Sequence, residues 1–374
     1  MSTATPTPLR IACVSACPYP VPQGSQVFLR NNALALQLRG HYVCLVTYGH
    51  GQGKDKSGLP IFRSRRIPGD AKTQAGPSFA KPFLDLALVS TLRRVIREEK
   101  IDVVIAHNYE GLLVALLAGK RPLIYHAHNA MADELPYYFR FKGLAARFGR
   151  WLDHTFPKRA DQVIVPHARL AGHLIVRGCD REKITVILPP MDAHEFTPGK
   201  VADGLPPVLY TGNLDAYQNL GLLQDAMVLV RKKHPEAVLK IATAEAGSVA
   251  GAEMVNTKGF DALQRVLAED AVLAVPRVSW SGYPVKLMNA MAAGKAMVAC
   301  QSAAYPLTHE ETGLIVPDND AQAFADALLR LMDNKKLRAR MGKAARAIVE
   351  TEYQPDRVGA ALEAIAVDLL HPDD

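Results

Sequence analysis

The chain has 374 residues, of which 49% are hydrophobic, with a formal net charge of +7 and five scattered cysteines. This length suits two domains. No apolar run approaches the roughly 18–20 residues that span a bilayer, and no apolar leader begins the chain. Together with the scattered cysteines, these features lead us to expect a reduced, cytoplasmic protein. The positive charge would attract anionic lipid or phosphorylated substrates, whereas the lack of a nucleic-acid-binding motif excludes nucleic acid as an expected partner.

The first half of the chain predicts a parallel sheet that is covered by helices on both faces. An apolar strand from Leu9 to Ala16 precedes a loop rich in proline and glycine, a helix that ends near Gly40 and the strand YVCLVTY. Further strands are predicted at IDVVIAHN, RPLIYHAHN and ADQVIVPH. Near-continuous apolar strands that alternate with helices are typical of sheets buried on both faces.

The same pattern restarts after a linker that is dense in proline and glycine, from Ile187 to Pro207. Strands are predicted at PVLYTGN, AVLKIAT, AVLAVPR and AMVACQ, and a last amphipathic helix covers about residues 354–372. We therefore predict an α/β fold of two Rossmann-like, doubly wound domains, residues 1–192 and 193–353, with the last helix packed back on the first domain. Ligands of such folds bind at the carboxyl ends of the strands, here in a cleft between the domains.

The segment SGYPVKLMNAMAAGK, residues 281–295, predicts a short helix with unusual ends. Pro284 suits the first turn, and a glycine suits the position after the last turn. No capping side chain precedes Pro284, so the backbone N–H groups of Val285 and Lys286 are predicted to be free for an anion. Asn289 lies one turn after Lys286 on the same face, where its side chain can reach ribose hydroxyls.

In their order and spacing, several motifs resemble those of the GT-B glycosyltransferases, specifically the retaining family 4. They are the first glycine loop, PLIYHAHN, ILPPMDAHEFTP, LYTGNLDAYQNLGLLQDAM, VPRVSWSGYPVKLMNAMAAGKAMVA and HEETGLIVPDNDAQAFADAL. The resemblance covers nearly the whole chain. It implies a metal-independent, hexosyltransferase-like enzyme without a cofactor, which moves a sugar from a nucleotide-sugar donor to a lipid-linked or glycan acceptor in cell-envelope synthesis.

The chain departs from the family at the donor site. The family has two glutamates eight residues apart, where this chain has Ser281 and Asn289, and two basic residues where it has Asn213 and Gln218. We therefore expect other cations to bind the diphosphate. The predicted donor-binding residues are Gly212, Asn213, Gln218, Arg277, Ser281, Gly282, Tyr283, Pro284, Val285, Lys286 and Asn289.

The resemblance also implies site residues in the first domain. His128, at the end of a predicted strand, is expected to be the catalytic-site histidine, whereas His126 has even odds of being structural. Gly24 and Ser25 are expected to form a loop that approaches the acceptor or a phosphate, because glycine leaves the backbone accessible. Asp133 is expected to orient the acceptor or His128, and no metal-ligating set is predicted.

One segment of the first domain mixes aromatic and basic side chains, LPYYFRFKGLAARFGRWLDHTFPKR. Aromatic residues with lysine and arginine are typical of helices that lie on an anionic membrane surface. The alternative is an amphipathic helix with a solvated basic face. We favour peripheral membrane binding near Tyr137 to Arg150, at the inner face of the membrane, because the net charge agrees.

Three functions remain open from the sequence. The first is metal-independent retaining glycosyl transfer. The second is a GT-B-shaped binding or regulatory subunit without turnover, which the replaced donor-site residues favour. The third is a sugar-nucleotide epimerase of the same fold, which fits the family motifs less well.

Overall fold

The structure is a computed structural model, and the chain divides into two compact units, residues 1–190 with 355–374 and residues 191–354. Residues 22–23 of the predicted glycine loop and residue 200 of the predicted linker lie outside the described part. The residues that the structure describes are 7–21, 24–51, 55, 57–66, 80–119, 122–199 and 201–371.

The first unit is built on a parallel sheet whose strands are β1 (Arg10–Ser15), β2 (Tyr42–Thr47), β3 (Ile61–Arg63), β4 (Val103–His107), β5 (Leu123–His126), β6 (Gln162–Val165) and β7 (Ile184–Val186). Their order across the sheet is β3-β2-β1-β4-β5-β6-β7. The central strands are almost fully buried, as their near-continuous apolar sequences predicted. The flanking helices are α1 (Gly24–Leu38), α2 (Lys81–Glu98), α3 (Asn108–Ala118), α4 (Met131–Glu134), α5 (Lys142–Thr155) and α6 (Ala168–Val176).

The second unit repeats this architecture with strands β8 (Val208–Thr211), β9 (Leu239–Thr243), β10 (Glu253–Asn256), β11 (Val272–Val275), β12 (Met297–Cys300) and β13 (Leu314–Val316). All pairs are parallel, in the order β10-β9-β8-β11-β12-β13. Its helices are α7 (Leu220–Lys233), α8 (Phe260–Ala268), α9 (Val285–Ala292), α10 (Ala321–Met332) and α11 (Lys335–Glu352).

The last helix, α12 (Pro355–Leu370), packs on α1 of the first unit. Gly359 permits the close approach, because a Cβ atom there would lie 2.5 Å from the carbonyl oxygen of Ala35. Arg39 forms ion pairs with Asp356 at 3.0 Å and with the largely buried Glu363 at 2.9 Å. These contacts attach the C-terminal helix to the first unit.

Both sheets have the strand order of a Rossmann fold, so the predicted fold class is confirmed. In each unit the strands at the centre of the sheet place their carboxyl ends along one edge, and the side chains that follow them can meet there. Within the described residues, no helix is both long enough and apolar enough to cross a bilayer.

Candidate functional site

The second unit places a lysine at the carboxyl end of β8. Lys286, in the first turn of α9, donates hydrogen bonds from Nζ to Tyr210 OH at 2.9 Å and to Gln218 Oε1 at 2.5 Å. The same Nζ lies 4.2 Å from the centroid of the Tyr210 ring, within the range of a cation–π contact. Tyr210 and Gln218 thus hold, at the end of a central strand, the ammonium group of a lysine that is 76 and 68 positions away in sequence.

Gly212, directly after β8, leaves room for this ammonium group. A Cβ atom on residue 212 would lie 3.1 Å from Lys286 Nζ, and the φ angle of +131° disfavours any L side chain. The position therefore requires glycine for two independent reasons. Substitution here would displace the lysine from the strand end.

Asn213 and Gln218 lie at the same strand end and form a hydrogen bond with each other. Gln218 Nε2 donates to Asn213 Oδ1, and Tyr210 OH donates to the Asn213 carbonyl oxygen at 2.6 Å. Asn213 Nδ2 also donates to Tyr217 OH at 3.1 Å. The structure thus brings Gly212, Asn213, Gln218 and Lys286 together at one strand end, and their role in donor binding stays a prediction.

The charge on Lys286 is not balanced by a protein carboxylate, since it forms no ion pair with any described acidic residue. Burial, and then the nearby positive charge of Arg277, lower the pKa of Lys286 well below its usual value. Arg277 itself donates from Nε to the Ser279 carbonyl oxygen at 3.1 Å and stacks on Tyr217, with Cζ 5.3 Å from the ring centroid. Two cations are therefore close together here, an arrangement that an anion would stabilise.

The ends of α9 agree only in part with the sequence prediction. At the C-terminal end, Gly294 has φ of +65° and its N–H donates to the Met291 carbonyl oxygen at 2.9 Å, as expected for a glycine that ends a helix. At the N-terminal end, Pro284 lies at the capping position rather than inside the first turn. The Val285 N–H donates to the Tyr283 carbonyl oxygen at 3.0 Å, so the prediction that it is free was wrong, and only the Lys286 N–H remains for a ligand.

The other predicted donor residues lie near the start of α9 and differ from one another in burial and contacts. Ser281 is buried, and Gly282 is covered by Arg277, whose Nη2 would lie 2.7 Å from a Cβ atom on residue 282. Tyr283 is buried and its hydroxyl lies 2.6 Å from Tyr353 OH, which gives this side chain a role inside the unit. Asn289 is half-buried on α9, one turn after the lysine.

In the first unit, His128 follows the end of β5 by two residues and is buried with two other histidines. His128 Nε2 lies 3.2 Å from Nδ1 of His107, the last residue of β4. The His126 ring lies 5.1 Å from the His128 ring and 5.0 Å from the His107 ring, between centroids. Phe28 of α1 packs on His128 at 5.1 Å. Two neighbouring strand ends thus form a buried histidine cluster.

Burial keeps these rings neutral. It lowers the pKa of His128 to about 3 and lowers the pKa values of His107 and His126 well below the usual value. The His128 ring adds to the effect on His126, and both of these rings add to the effect on His107. A neutral imidazole has one N–H donor and one acceptor nitrogen, so His128 can offer only one of each. Sequence analysis did not identify His107, although β4 (VVIAH) and β5 (LIYH) both end in histidine and parallel neighbours align their ends.

The predicted acceptor-side residues are also at this edge of the first unit, with one correction. Gly24 and Ser25 are the first two residues of α1, not a loop, because the helix begins three residues before Val27, where the apolar pattern VFLRNNALALQLRGH begins. Asp133 is half-buried within α4. Its neighbour Glu134 accepts a hydrogen bond from Asn129, and burial raises the pKa of this carboxyl to about 7.

A buried carboxylate holds the segment that follows His128. Asp153 of α5 accepts hydrogen bonds from the backbone N–H groups of Met131 at 2.9 Å and Ala132 at 3.0 Å, and its Oδ2 lies 2.9 Å from His173 Nε2. An anion at the start of α4 satisfies N–H groups that the short helix leaves unpaired. This contact fixes the polypeptide between the histidine cluster and α5.

The aromatic and basic segment forms an exposed surface of the first unit. The buried face of α5 consists of Ala145, Gly149 and Asp153. Its other face carries Leu144, Phe148 and Trp151, which are 69%, 53% and 51% exposed. The other exposed aromatic and basic side chains of the segment are Tyr137, Tyr138, Phe139, Arg140, Phe141, Lys142, Arg147, Arg150, His154, Lys158 and Arg159.

Comparison with known proteins agrees with this architecture. A family model for the glycosyl transferase 4-like domain matches residues 23–190, and one for glycosyl transferases group 1 matches residues 206–334. The amylovoran biosynthesis glycosyltransferase AmsK of Erwinia amylovora is 30% identical over 216 residues, which cover 52% of this chain and 53% of that protein.

Solved structures show the same fold. Sucrose-phosphate synthase from Thermosynechococcus elongatus has a TM-score of 0.80 at 16% identity, covering 98% of this chain and 100% of that one. The Anabaena protein HepE in complex with UDP and glucose has a TM-score of 0.75 at 16% identity, covering 96% of this chain and 100% of that one.

Two Rossmann-like parallel sheets, each matched by a glycosyltransferase family model, define the class of the protein as a GT-B glycosyltransferase. Within this class the chain belongs to the family 4 type, as the order of its motifs predicted.

Proposed function

We propose that the protein is a retaining glycosyltransferase that transfers a hexosyl unit from a nucleotide-sugar donor to a lipid-linked or glycan acceptor. Lys286 carries the proposal. It is a half-buried ammonium group without a carboxylate partner among the described residues, and it contacts Gln218, where the family resemblance leads us to expect a basic residue. A cation supplied from α9 thus replaces one that the loop after β8 lacks.

The ligand that fits this site is a diphosphate. Its oxygens would accept from Lys286 Nζ and the Lys286 N–H, and Arg277 adds a second positive charge nearby. Hydrogen bonds to charged groups contribute about 1.5–3 kcal/mol each. Because side-chain cations supply the charge, the proposed diphosphate site needs no divalent metal ion.

In the proposed reaction, the protein mainly positions the substrates and stabilises charge. The bond between the anomeric carbon and the diphosphate oxygen breaks, the acceptor oxygen bonds to the same face of that carbon, and the departing diphosphate takes the acceptor proton. Preorganised donors stabilise the developing negative charge. Ser281 and Asn289, where the family has glutamates, are therefore compatible with turnover. We assign the neutral His128 a hydrogen bond to the reacting sugar or phosphate.

The donor and acceptor classes rest on resemblance to other proteins. HepE, with the same fold, was solved with UDP and glucose, and AmsK is named for the biosynthesis of the polysaccharide amylovoran. We therefore propose synthesis of a cell-envelope glycolipid or polysaccharide, with the donor on the second unit and the acceptor on the first. The exposed face of α5 suits an acceptor held at an anionic membrane.

A binding or regulatory subunit without turnover is the second candidate. The observation that favours it is the replacement of both donor-site glutamates, by Ser281 and Asn289. Such a protein would still bind a nucleotide diphosphate through Lys286. It would not consume the donor.

Product analysis separates these candidates. The purified protein is incubated with a panel of UDP-, GDP-, ADP- and CMP-sugars, with and without membrane-lipid and oligosaccharide acceptors, in the presence of a chelator. We expect donor consumption and a product whose anomeric configuration, read by NMR, matches that of the donor. Binding of a nucleotide sugar without any consumption would establish the binding subunit, and an inverted product would contradict the retaining mechanism.

A further inference from the structure

The histidine cluster combines two features of the sheet. His126 and His128 are two residues apart on an extended segment, so their side chains leave the same face of the chain. His107 lies on the neighbouring parallel strand, in register with His126. His126 at the end of β5, His128 two residues later and His107 at the end of β4 therefore form a tripod of imidazoles.

The protein leaves much of the hydrogen-bonding capacity of this tripod unused. His107 Nε2, His126 Nε2 and His128 Nδ1 are buried and have no hydrogen-bond partner among the described residues. The contacts that do exist are between His107 and His128, at 3.2 Å, and between His126 Nδ1 and Asn32 Nδ2, at 3.5 Å. A buried polar group without a partner costs about 1–3 kcal/mol, so the described protein residues alone satisfy this cluster poorly.

We propose that His107, His126 and His128 bind a divalent transition-metal ion of the zinc type. Neutral imidazole is the ligand that Zn²⁺, Co²⁺ and Ni²⁺ share, whereas Mg²⁺ and Ca²⁺ prefer oxygen ligands. The cluster provides three imidazoles and no carboxylate among its members. Three protein ligands leave a fourth position of a tetrahedral ion for water or a substrate oxygen.

The distances are close to those that such an ion requires. One nitrogen from each of the three rings lies within 4.8 Å of the others. Zinc–nitrogen bonds of about 2.0–2.1 Å place tetrahedral ligand atoms roughly 3.4 Å apart. The 3.2 Å separation of His107 Nδ1 and His128 Nε2 already matches this value. Rotation of the His126 ring toward that pair would complete the site.

This site is independent of the diphosphate site of the second unit. The diphosphate site uses Lys286 and Arg277 for charge and requires no metal. The two proposals share only His128, whose Nδ1 stays available for a hydrogen bond to the substrate when Nε2 binds the ion. Metal binding measured without any sugar donor therefore tests this inference alone. Its failure would leave the glycosyltransferase proposal standing, and the reverse is also true.

The test is a titration of the chelator-treated, tag-free protein with Zn²⁺ and with Co²⁺. We expect one ion per chain by calorimetry, and an intense visible absorption of bound Co²⁺ that indicates four-coordinate geometry. Because loss of an outer-shell partner alone costs 10–100-fold in affinity, His107→Gln should weaken binding by about 100-fold or more. The exposed His194→Gln is the matched control and should bind as the wild type does.

His126→Asn is a second ligand variant, and circular dichroism of each variant reports whether it folds. Stoichiometric binding that both folded ligand variants lose, and that His194→Gln keeps, would establish the site. The inference is overturned if the wild type binds no Zn²⁺ or Co²⁺ stoichiometrically at micromolar protein concentration. It is equally overturned if folded His107→Gln and His126→Asn bind as tightly as the wild type.

Discussion

Lys286 Nζ donates a hydrogen bond of 2.5 Å to Gln218 Oε1, which joins the first turn of α9 to the loop that follows β8. The family resemblance leads us to expect a cation on that loop, and the chain instead has an amide that holds a cation from elsewhere. The positive charge therefore lies at the expected place in the structure, although the residue that carries it is elsewhere in the sequence. We propose that this exchange preserves a phosphate site without the residues that normally identify it.

The lowered pKa of the half-buried Lys286 predicts a pH dependence of diphosphate binding. Its pKa is lowered in the free protein, and a bound anion would raise it again, so binding takes up a proton between the two pKa values. Affinity should therefore fall as pH rises through that interval, by up to about tenfold per pH unit. Calorimetry above about pH 8, where the phosphates are already ionised, in buffers of different ionisation enthalpy measures the proton uptake.

Lys286→Met is the control for this prediction, since it keeps the length of the side chain and removes the proton site. Proton uptake in the wild type that is absent in Lys286→Met is the expected pair of results. Uptake that is the same in both proteins would assign the pH dependence to another group.

Replacement of His128 by alanine should remove most of the glycosyl transfer and leave the fold intact. Loss of one positioned hydrogen-bond donor to a developing charge costs about 10²–10³ in kcat. Steady-state rates with the acceptor identified by the product screen measure this, and His194→Ala, at an exposed position, is the matched control. A His128→Ala protein that keeps most of its kcat would show that this ring is structural.

The exposed face of α5 should bind anionic membranes. Each lysine or arginine near such a surface contributes about 1 kcal/mol, so replacing Arg140, Lys142, Arg147 and Arg150 by serine should lower vesicle binding by about 100-fold or more. Co-sedimentation with phosphatidylserine vesicles measures the effect, and added salt should weaken wild-type binding.

A matched variant for this experiment replaces four exposed lysines of the second unit by serine, and it should bind vesicles as the wild type does. Those residues are Lys232, Lys258, Lys336 and Lys343. Equal losses in the two variants would show that net charge alone is responsible. If the wild type bound neutral vesicles as well as it binds anionic vesicles, the electrostatic account would be contradicted.

Two glycines of α5 should respond to alanine in opposite ways. A Cβ atom on residue 149 would lie 2.4 Å from the Met131 carbonyl oxygen, so Gly149→Ala must displace α4 and should cost about 1–3 kcal/mol of unfolding free energy. Residue 143 has open space, so Gly143→Ala should be neutral or stabilise by up to about 1 kcal/mol. Denaturant unfolding measures both, and equal stability of the two variants would contradict the packing of α5 on α4.

The sequence predicted the fold class because both halves repeat apolar strands with helices between them, and local periodicity determines that pattern. The donor-side group was also predictable, since Gly212, Gln218 and Lys286 lie in motifs whose order identifies the family. His107 was missed because its neighbour in space, His128, is set by the order of strands in the sheet. The contact between Tyr283 and Tyr353, 70 residues apart, was unpredictable because it depends on how the start of α9 and the end of α11 pack together, not on local sequence.

The most direct test of the proposed diphosphate site is calorimetric binding of a nucleoside diphosphate to three proteins. A thermal-shift screen over UDP, GDP and ADP first identifies the base, since a ligand at 100 times its Kd stabilises by about 2.7 kcal/mol. Wild type, Lys286→Ala and the exposed control Lys232→Ala are then titrated with that diphosphate and with the bare nucleoside. We predict that Lys286→Ala weakens diphosphate binding by roughly 10- to 150-fold, the equivalent of 1.5–3 kcal/mol, and leaves nucleoside binding unchanged. Diphosphate affinity in Lys286→Ala equal to that of the wild type would contradict the assignment of this site.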